Sequence, residues 1–203
     1  MIWNHSSRSE LVVCGPGKIA GLDIPSGEEL WKLPGFETFA SSPTCDGDYL
    51  LFGNGGEGAS GPLYGIRAGA NGDLSLDPNN EKMVWKVNGA GTGWCSPVAR
   101  NGLLFVPGKG LLSCYDSRDG KRLYRQRMPD MKTLTACPIC TDEAVLFVDE
   151  EGTTFTIKVG PAFELLGSGK LEDTVWASPA ASGKQLLIRG LKHLYCIRAT
   201  NNP

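Results

Sequence analysis

The stretch SPVARNGLLFVP, residues 96–107, sets a small residue and a proline before a polar turn and a short apolar run. The phrase returns as SPTCDGDYLLFG (42–53), CPICTDEAVLFV (137–148) and SPAASGKQLLIR (178–189). Its prolines fall at 43, 97, 138 and 179, which gives spacings of 54, 41 and 41 residues. The longer first interval is accounted for by the polar segment GANGDLSLDPNNEK (69–82), read as a loop insertion. Self-similarity at a fixed period is the mark of a repeat architecture, in which each unit buries its apolar face only against its neighbours.

Working outward, each apolar run is followed by a turn and a second short strand: KIAGLD, PLYGIR, LLSCYD, TTFTIK and LYCIR. A third run then continues the unit, as ELWKL, MVWKV, RLYRQ and FELLG. With the small-Pro segment, a unit holds four short strands, and four antiparallel strands every 41 or so residues make one propeller blade. No segment keeps a 3.6-residue apolar period, which disfavours a helical solenoid. The expected architecture is an all-β propeller domain over 1–203, with about five blades at 1–35, 36–89, 90–131, 132–172 and 173–203.

The turn is written most fully in GLDIPSGEELW, Gly21 to Trp31. Asp23 can bond turn N–H groups, Gly27 supplies a positive φ, and Trp31 can cover the seam to the next blade. CYDSRDGKRLY repeats the pattern with Asp116, Gly120 and Tyr124, and Trp85 takes the aromatic position after the insertion. In the fourth unit the motif has decayed.

Composition agrees with this reading and excludes several classes. Of 203 residues, 41% are hydrophobic and 21% charged, enough for a sizeable core, while 27 Gly and 13 Pro suit many short strands and tight turns. A formal charge of -2 without a Lys/Arg cluster gives no footprint for nucleic acid. Apolar runs such as LLFV are too short to span a bilayer. MIWNHSSRSE shows no basic region followed by an apolar core, so no secretory signal is visible. Seven cysteines, mostly within apolar runs, fit buried free thiols better than a disulfide scaffold.

Several motifs look like chemistry and dissolve under the repeat. Cys137 and Cys140 have the C-x-x-C spacing of a redox pair or half a zinc site. Aligned on the prolines, however, Cys137 shares a column with Ser42, Ser96 and Ser178, and Cys140 with Cys45, Ala99 and Ala181. Cys114 and Cys196 share one with Gly21, Gly65 and Thr156. These columns read as positions for a small buried residue, and residues three apart on a strand face opposite ways. GEGASG (56–61) matches G-x-G-x-x-G, but Pro62 and a strand follow where a nucleotide site needs a helix. GPGK (15–18) lacks the Walker spacing. His5 and His193 have no clustered carboxylate or thiol in sequence, and Glu28-Glu29 and Glu150-Glu151 read as solvated hairpin tips.

The docking residues and the repeat resemble the tryptophan-docking PQQ-repeat propellers, the quinoprotein-like group that includes the BamB type of bacterial outer-membrane assembly factor. The match runs over nearly the whole chain and implies the fold more than the chemistry. It implies that Gly21, Asp23, Gly27 and Trp31 are structural. Quinoprotein enzymes of the group use a vicinal disulfide, a bound Ca²⁺ and a catalytic Asp. No adjacent cysteines occur here, and no Asp stands in a matching context. The resemblance therefore implies a binding or scaffold role toward another protein, without cofactor or metal; the alternatives are a degenerate PQQ-dependent dehydrogenase and capture of carbohydrate or peptide. It also implies a periplasmic or extracellular setting, against which free cysteines argue. Met1-Ile2-Trp3 aligns just after a small-Pro column, so the expectation is of further blades upstream, in a ring of seven or eight. Trp94 and Trp176 each stand three residues before a blade proline, at the entry to the innermost strand near the central funnel. They read either as packing between blades or as a shared binding surface.

Overall fold

A strand covered on both faces reads as an unbroken apolar run, and this is the fate of the second strand in the second and third units. The computed structural model describes residues 1–36, 41–53, 61–74, 83–108 and 110–198. The first sheet joins β1 (Ile2–Asn4), β2 (Ser9–Gly15), β3 (Gly17–Asp23) and β4 (Glu29–Phe36). The second joins β5 (Thr44–Asp46), β6 (Tyr49–Gly53), β7 (Leu63–Arg67) and β9 (Met83–Val87), while β8 (Gly72–Asp73) lies against β4 as a parallel fifth strand of the first. The third is β10 (Val98–Arg100), β11 (Leu103–Gly108), β12 (Leu111–Asp116) and β13 (Arg122–Arg127). The fourth is β14 (Ile139–Cys140), β15 (Ala144–Val148), β16 (Thr153–Lys158) and β17 (Leu165–Lys170). The fifth is β18 (Ala180–Ser182), β19 (Gln185–Arg189) and β20 (Leu194–Arg198).

The insertion read as a loop over 69–82 therefore supplies a strand to its neighbour at Gly72–Asp73; residues 75–82 lie outside the described residues, as do 56–60 of GEGASG. The inner strands are short and approach one another, β10 lying between β5 and β14. β6 and β11 are largely buried, and β17 is exposed throughout. No described helix is long and apolar enough to cross a membrane.

The core is divided among the seams. Trp3, Trp31 and Leu33 of the first blade pack with Phe52, Tyr64 and Ile66 of the second. Leu51 and Trp85 of the second meet Leu104 and Tyr115 of the third. Phe105 and Leu112 of the third meet Phe147 and Phe155 of the fourth. Val148 of the fourth meets Ile188 of the fifth.

One size rule fixes the position of each docking aromatic. Gly21 pairs across the ladder with Trp31, Gly65 with Trp85, Cys114 with Tyr124, and Thr156 with Gly167. A β-bulge follows each of these pairs, between Gly21 and Leu22, Gly65 and Ile66, Cys114 and Tyr115, and Thr156 and Ile157. A Cβ on Gly21 would meet Trp31 Nε1 at 2.2 Å, and one on Gly65 would meet Trp85 Cε2 at 2.4 Å. The indole folds over a residue with no side chain; where Cys114 fills the slot the ring shrinks to Tyr124, and where Thr156 fills it the ring is gone. The column thus trades volume with its cross-strand partner rather than merely requiring a small residue.

The rings then reach the next blade. Trp85 Nε1 donates to Ser117 O at 3.0 Å and lies over Gly120, whose φ is +69°. Tyr124 meets Phe163 edge-on with centroids 5.9 Å apart. Trp31 shares its buried cluster with Ala70 and Leu74 and donates its indole N–H to Glu10. The turns are built as the sequence suggests. Asp23 accepts from Ser26 N at 3.0 Å before Gly27 at φ +74°, and Asp116 accepts from Arg118 N at 2.9 Å before Gly120.

The small-Pro column does more than fill space. Ser42 N donates to Ser96 Oγ at 2.9 Å, Ser96 N to Cys137 Sγ at 3.3 Å, and Cys137 N to Ser178 Oγ at 2.9 Å. Each blade's N–H is received by the same column one blade on, which makes an inter-blade ladder along the inner strands. The column needs an acceptor, and Cys137 is half-buried rather than buried. The cysteine expectation is corrected in this respect. It is corrected too for Cys196, which is exposed.

Three expectations follow. Trp31→Ala should cost about 3–5 kcal/mol, the range for truncating a buried aromatic, while Trp94→Ala and Trp176→Ala should leave the melting temperature nearly unchanged. Gly65→Cys should destabilise, and adding Trp85→Tyr should recover part of the loss; additive losses in that double-mutant cycle would refute the size rule. Cys137→Ser with Cys140→Ala should leave the circular dichroism spectrum and melting curve close to wild type, because Ser accepts the same N–H elsewhere in the ladder.

Candidate functional site

Trp94 and Trp176 are 50% and 57% exposed, so neither ring packs between blades as a seam residue. Both precede a blade proline by three residues on loops that lead into β10 and β18. They do not converge on one surface feature. Trp94 lines a cleft of about 810 Å³ formed by the loop 89–95, the β11–β12 hairpin, β13 and the loop 131–134, and Trp176 is not among its lining residues.

The chemistry of this cleft is cationic and half apolar. Arg122, Arg125 and Arg127 from β13 and Lys132 face it, together with Leu111, Met131 and Leu134. The salt bridges found among the described residues engage none of these four cations. Glu151 is the acid of the lining, and Lys170 sits 3.8 Å from it. Among the described residues the lining therefore carries four cations against one acid, beside a half-exposed indole. Of this, the sequence reading found Trp94 and missed the arginines. RLYRQR looks like any exposed outer strand until the hairpin and the 131–134 loop enclose it.

The C-x-x-C is split by the fold. Cys137 lies in the loop before β14, with Ser96 and Cys95 as its partners, and Cys140 lies in β14 against the core of the third seam. Their environments push them apart. The hydrogen bond from Cys95, aided by Ser96 and Ser178 and opposed by burial, holds the Cys137 thiol well below the usual cysteine value. Burial pushes Cys140 up to about 11. Among the described residues, no group of three or more His, Cys, Asp or Glu is placed to hold a metal.

One reading of a charged residue changes. His5 is not isolated: its Nε2 lies 2.6 Å from Oε1 of the fully buried Glu10, which also receives the Trp31 indole N–H and has Arg8 Nε at 3.6 Å. Glu10 ties the first docking ring to the blade's inner edge, a role invisible in sequence because SELVV reads as an ordinary strand entry. Glu150 and Glu151 do stand at a hairpin turn, where Glu150 accepts from Thr135 and the exposed Glu151 lies 3.8 Å from Lys170. Asp173, buried at the start of the last blade, accepts from Lys192 N and His193 N at 3.0 Å each. Burial opposes its charge, but these backbone bonds and that of Thr174 prevail and hold its carboxyl below the usual range.

The family sequence model described as outer membrane protein assembly factor BamB matches residues 70–162. No curated protein sequence matches the chain. Among solved structures, BamB from Moraxella catarrhalis superposes with a TM-score of 0.72 at 13% identity, covering 98% of this chain and 57% of that one. The computationally designed Ika8 protein gives 0.70 at 12% identity, over 97% and 57% of the two chains. The designed Ika4 protein gives 0.61 at 11% identity, over 86% and 99%. The chain thus spans little more than half the length of the BamB structure it matches, and identities this low speak to fold alone. In fold the chain is a β-propeller similar to BamB, and its residues 70–162 match the family model described for that assembly factor.

Proposed function

We propose that the chain is a non-catalytic binding propeller that holds another protein, and that the cleft beside Trp94 receives an acidic, extended segment of that partner. The likeness to an assembly factor supports the scaffold role, and supports a periplasmic setting. The observation that carries the proposal is the cleft itself. Three arginines that form no salt bridge among the described residues and a half-exposed tryptophan border one concave, partly apolar surface. Arg and Trp are the residues that most often dominate binding energy, and unpaired cations in a walled cleft attract a partner of opposite charge. Trp176, 57% exposed, stands on the equivalent loop two blades on. The catalytic reading has no comparable support. Of the buried acids, Glu10 is held by the Trp31 indole and His5, and Asp149 and Asp173 by backbone N–H groups.

The test is a displayed peptide library panned against the purified chain. Recovered peptides should be acidic with an apolar or aromatic residue. Their affinity should fall roughly tenfold or more on Arg125→Glu with Arg127→Glu, and fall again on Trp94→Ala, with weaker binding at high salt. Melting temperatures of these variants should match wild type. Peptides that bind these variants as well as wild type would overturn the assignment of the cleft.

A further inference from the structure

The sequence pairs Cys137 with Cys140, but the fold gives Cys137 a different neighbour. Cys95 enters the same seam from the third blade. Its Sγ lies 2.9 Å from the carbonyl of Ala136, the residue before Cys137. Reciprocally, the N–H of Ser96, the residue after Cys95, donates to Cys137 Sγ at 3.3 Å. The two thiols thus enter the seam from opposite sides, each held against the backbone that carries the other.

The two cysteines are not interchangeable with their columns. The Cys95 column holds Ser41, Ala136 and Ala177 in the other blades, and the Cys137 column holds Ser42, Ser96 and Ser178. Only at the seam between the third and fourth blades do both columns carry sulfur. At the seam before it, Ser41 turns instead to Thr92, at 2.7 Å. Cys137 is half-buried and so within reach of small reagents, whereas Cys95 is buried beneath the wall of the Trp94 cleft.

We propose that Cys95 and Cys137 are a thiol–disulfide pair spanning the third seam, oxidised by hydroperoxides, with Cys137 as the attacking sulfur and Cys95 as the resolving one. The local bonds assign these roles. Cys137 Sγ receives an N–H and so is stabilised as a thiolate, whereas Cys95 keeps its proton, directed at an acceptor. In the first step the Cys137 thiolate attacks a peroxide oxygen. An S–O bond forms, the O–O bond breaks, and the departing oxygen takes up a proton, leaving water or an alcohol and a Cys137 sulfenic acid. In the second step Cys95 gives up its proton and its sulfur attacks that of Cys137. The S–S bond forms as the S–O bond breaks, and the hydroxyl leaves with the proton as water. Two thiols lose two electrons in all, and the hydroperoxide is reduced by two. The product is a covalent staple between two blades that otherwise meet through the ladder and side-chain packing.

The experiment treats the reduced full chain with one equivalent of hydrogen peroxide, blocks free thiols, and maps peptides by mass spectrometry without reduction. The expected result is a Cys95–Cys137 cross-linked peptide and loss of two of the seven free thiols. In Cys95→Ser the Cys137 sulfenic acid should persist and be trapped by dimedone. In Cys137→Ser no cross-link should form, and Cys140→Ala should behave as wild type. At neutral pH, Cys137 should be alkylated roughly tenfold or more faster than Cys140. A Cys137–Cys140 bridge would overturn the proposal, as would intermolecular disulfides through exposed Cys196 with Cys95 and Cys137 still free, or dimedone trapping in wild type equal to that in Cys95→Ser. The cross-link map of the wild-type chain decides the question even if a variant folds poorly.

Discussion

At the first three seams the spacing between one blade and the next is filled by a single bulky ring, and the rest of the structure answers to that. A sheet packed face to face with another leaves a layer of fixed thickness that side chains must fill without voids. Here the ring comes from the outer strand, lies back across its own sheet, and reaches the neighbour's turn. It can lie back only if the residue beneath it surrenders its volume. The pairs Gly21–Trp31, Gly65–Trp85, Cys114–Tyr124 and Thr156–Gly167 are four solutions of that one packing equation. The bulge that follows each pair bends the strand so that the turn beyond it meets the ring of the preceding blade.

A second constraint acts at the opposite edge of each sheet. The inner strands are two or three residues long from the second blade to the fifth, too short to hold themselves in place by their own ladder. The small-Pro column compensates. Proline stiffens the entry to the strand, and the residue before it both donates its N–H to one blade and accepts from another. Sulfur at Cys137 fulfils the acceptor's part, which is why the substitution is tolerated there and why it brings reactivity with it. Packing at the outer edge and hydrogen bonding at the inner edge thus fix each blade at two points.

The fold was legible because burial on both faces writes itself into the sequence as repeated apolar runs, and because turns demand Asp and Gly at set positions. Trp31, Trp85 and Tyr124 were readable for the same reason. Glu10 was not, since a buried carboxylate announces itself only when His5 and the Trp31 indole converge on it. The strand at Gly72–Asp73 was hidden inside a polar segment whose composition says loop, because two residues of parallel pairing need no apolar pattern. At the cleft, Trp94 was legible as a column and the arginines were not. Their convergence depends on how β13 sits against the 131–134 loop, and no local pattern encodes that.

The cysteines show why proximity in sequence misleads in a repeat protein. On a single strand, three residues separate the two sulfurs of C-x-x-C onto different surroundings, and the fold gives them different neighbours. A blade period, by contrast, carries the chain around and back to a neighbouring position, so residues 41 or 42 apart become the true neighbours, as with Ser96 and Cys137 or Arg100 and Asp142. Functional constellations in such a fold are therefore to be sought between columns of adjacent repeats, not within a motif. Trp94 obeys the same logic. It shares a residue type with Trp31 but occupies a column on a loop, where no neighbouring sheet covers it. The position that gives one tryptophan to the core leaves the other free to meet a partner.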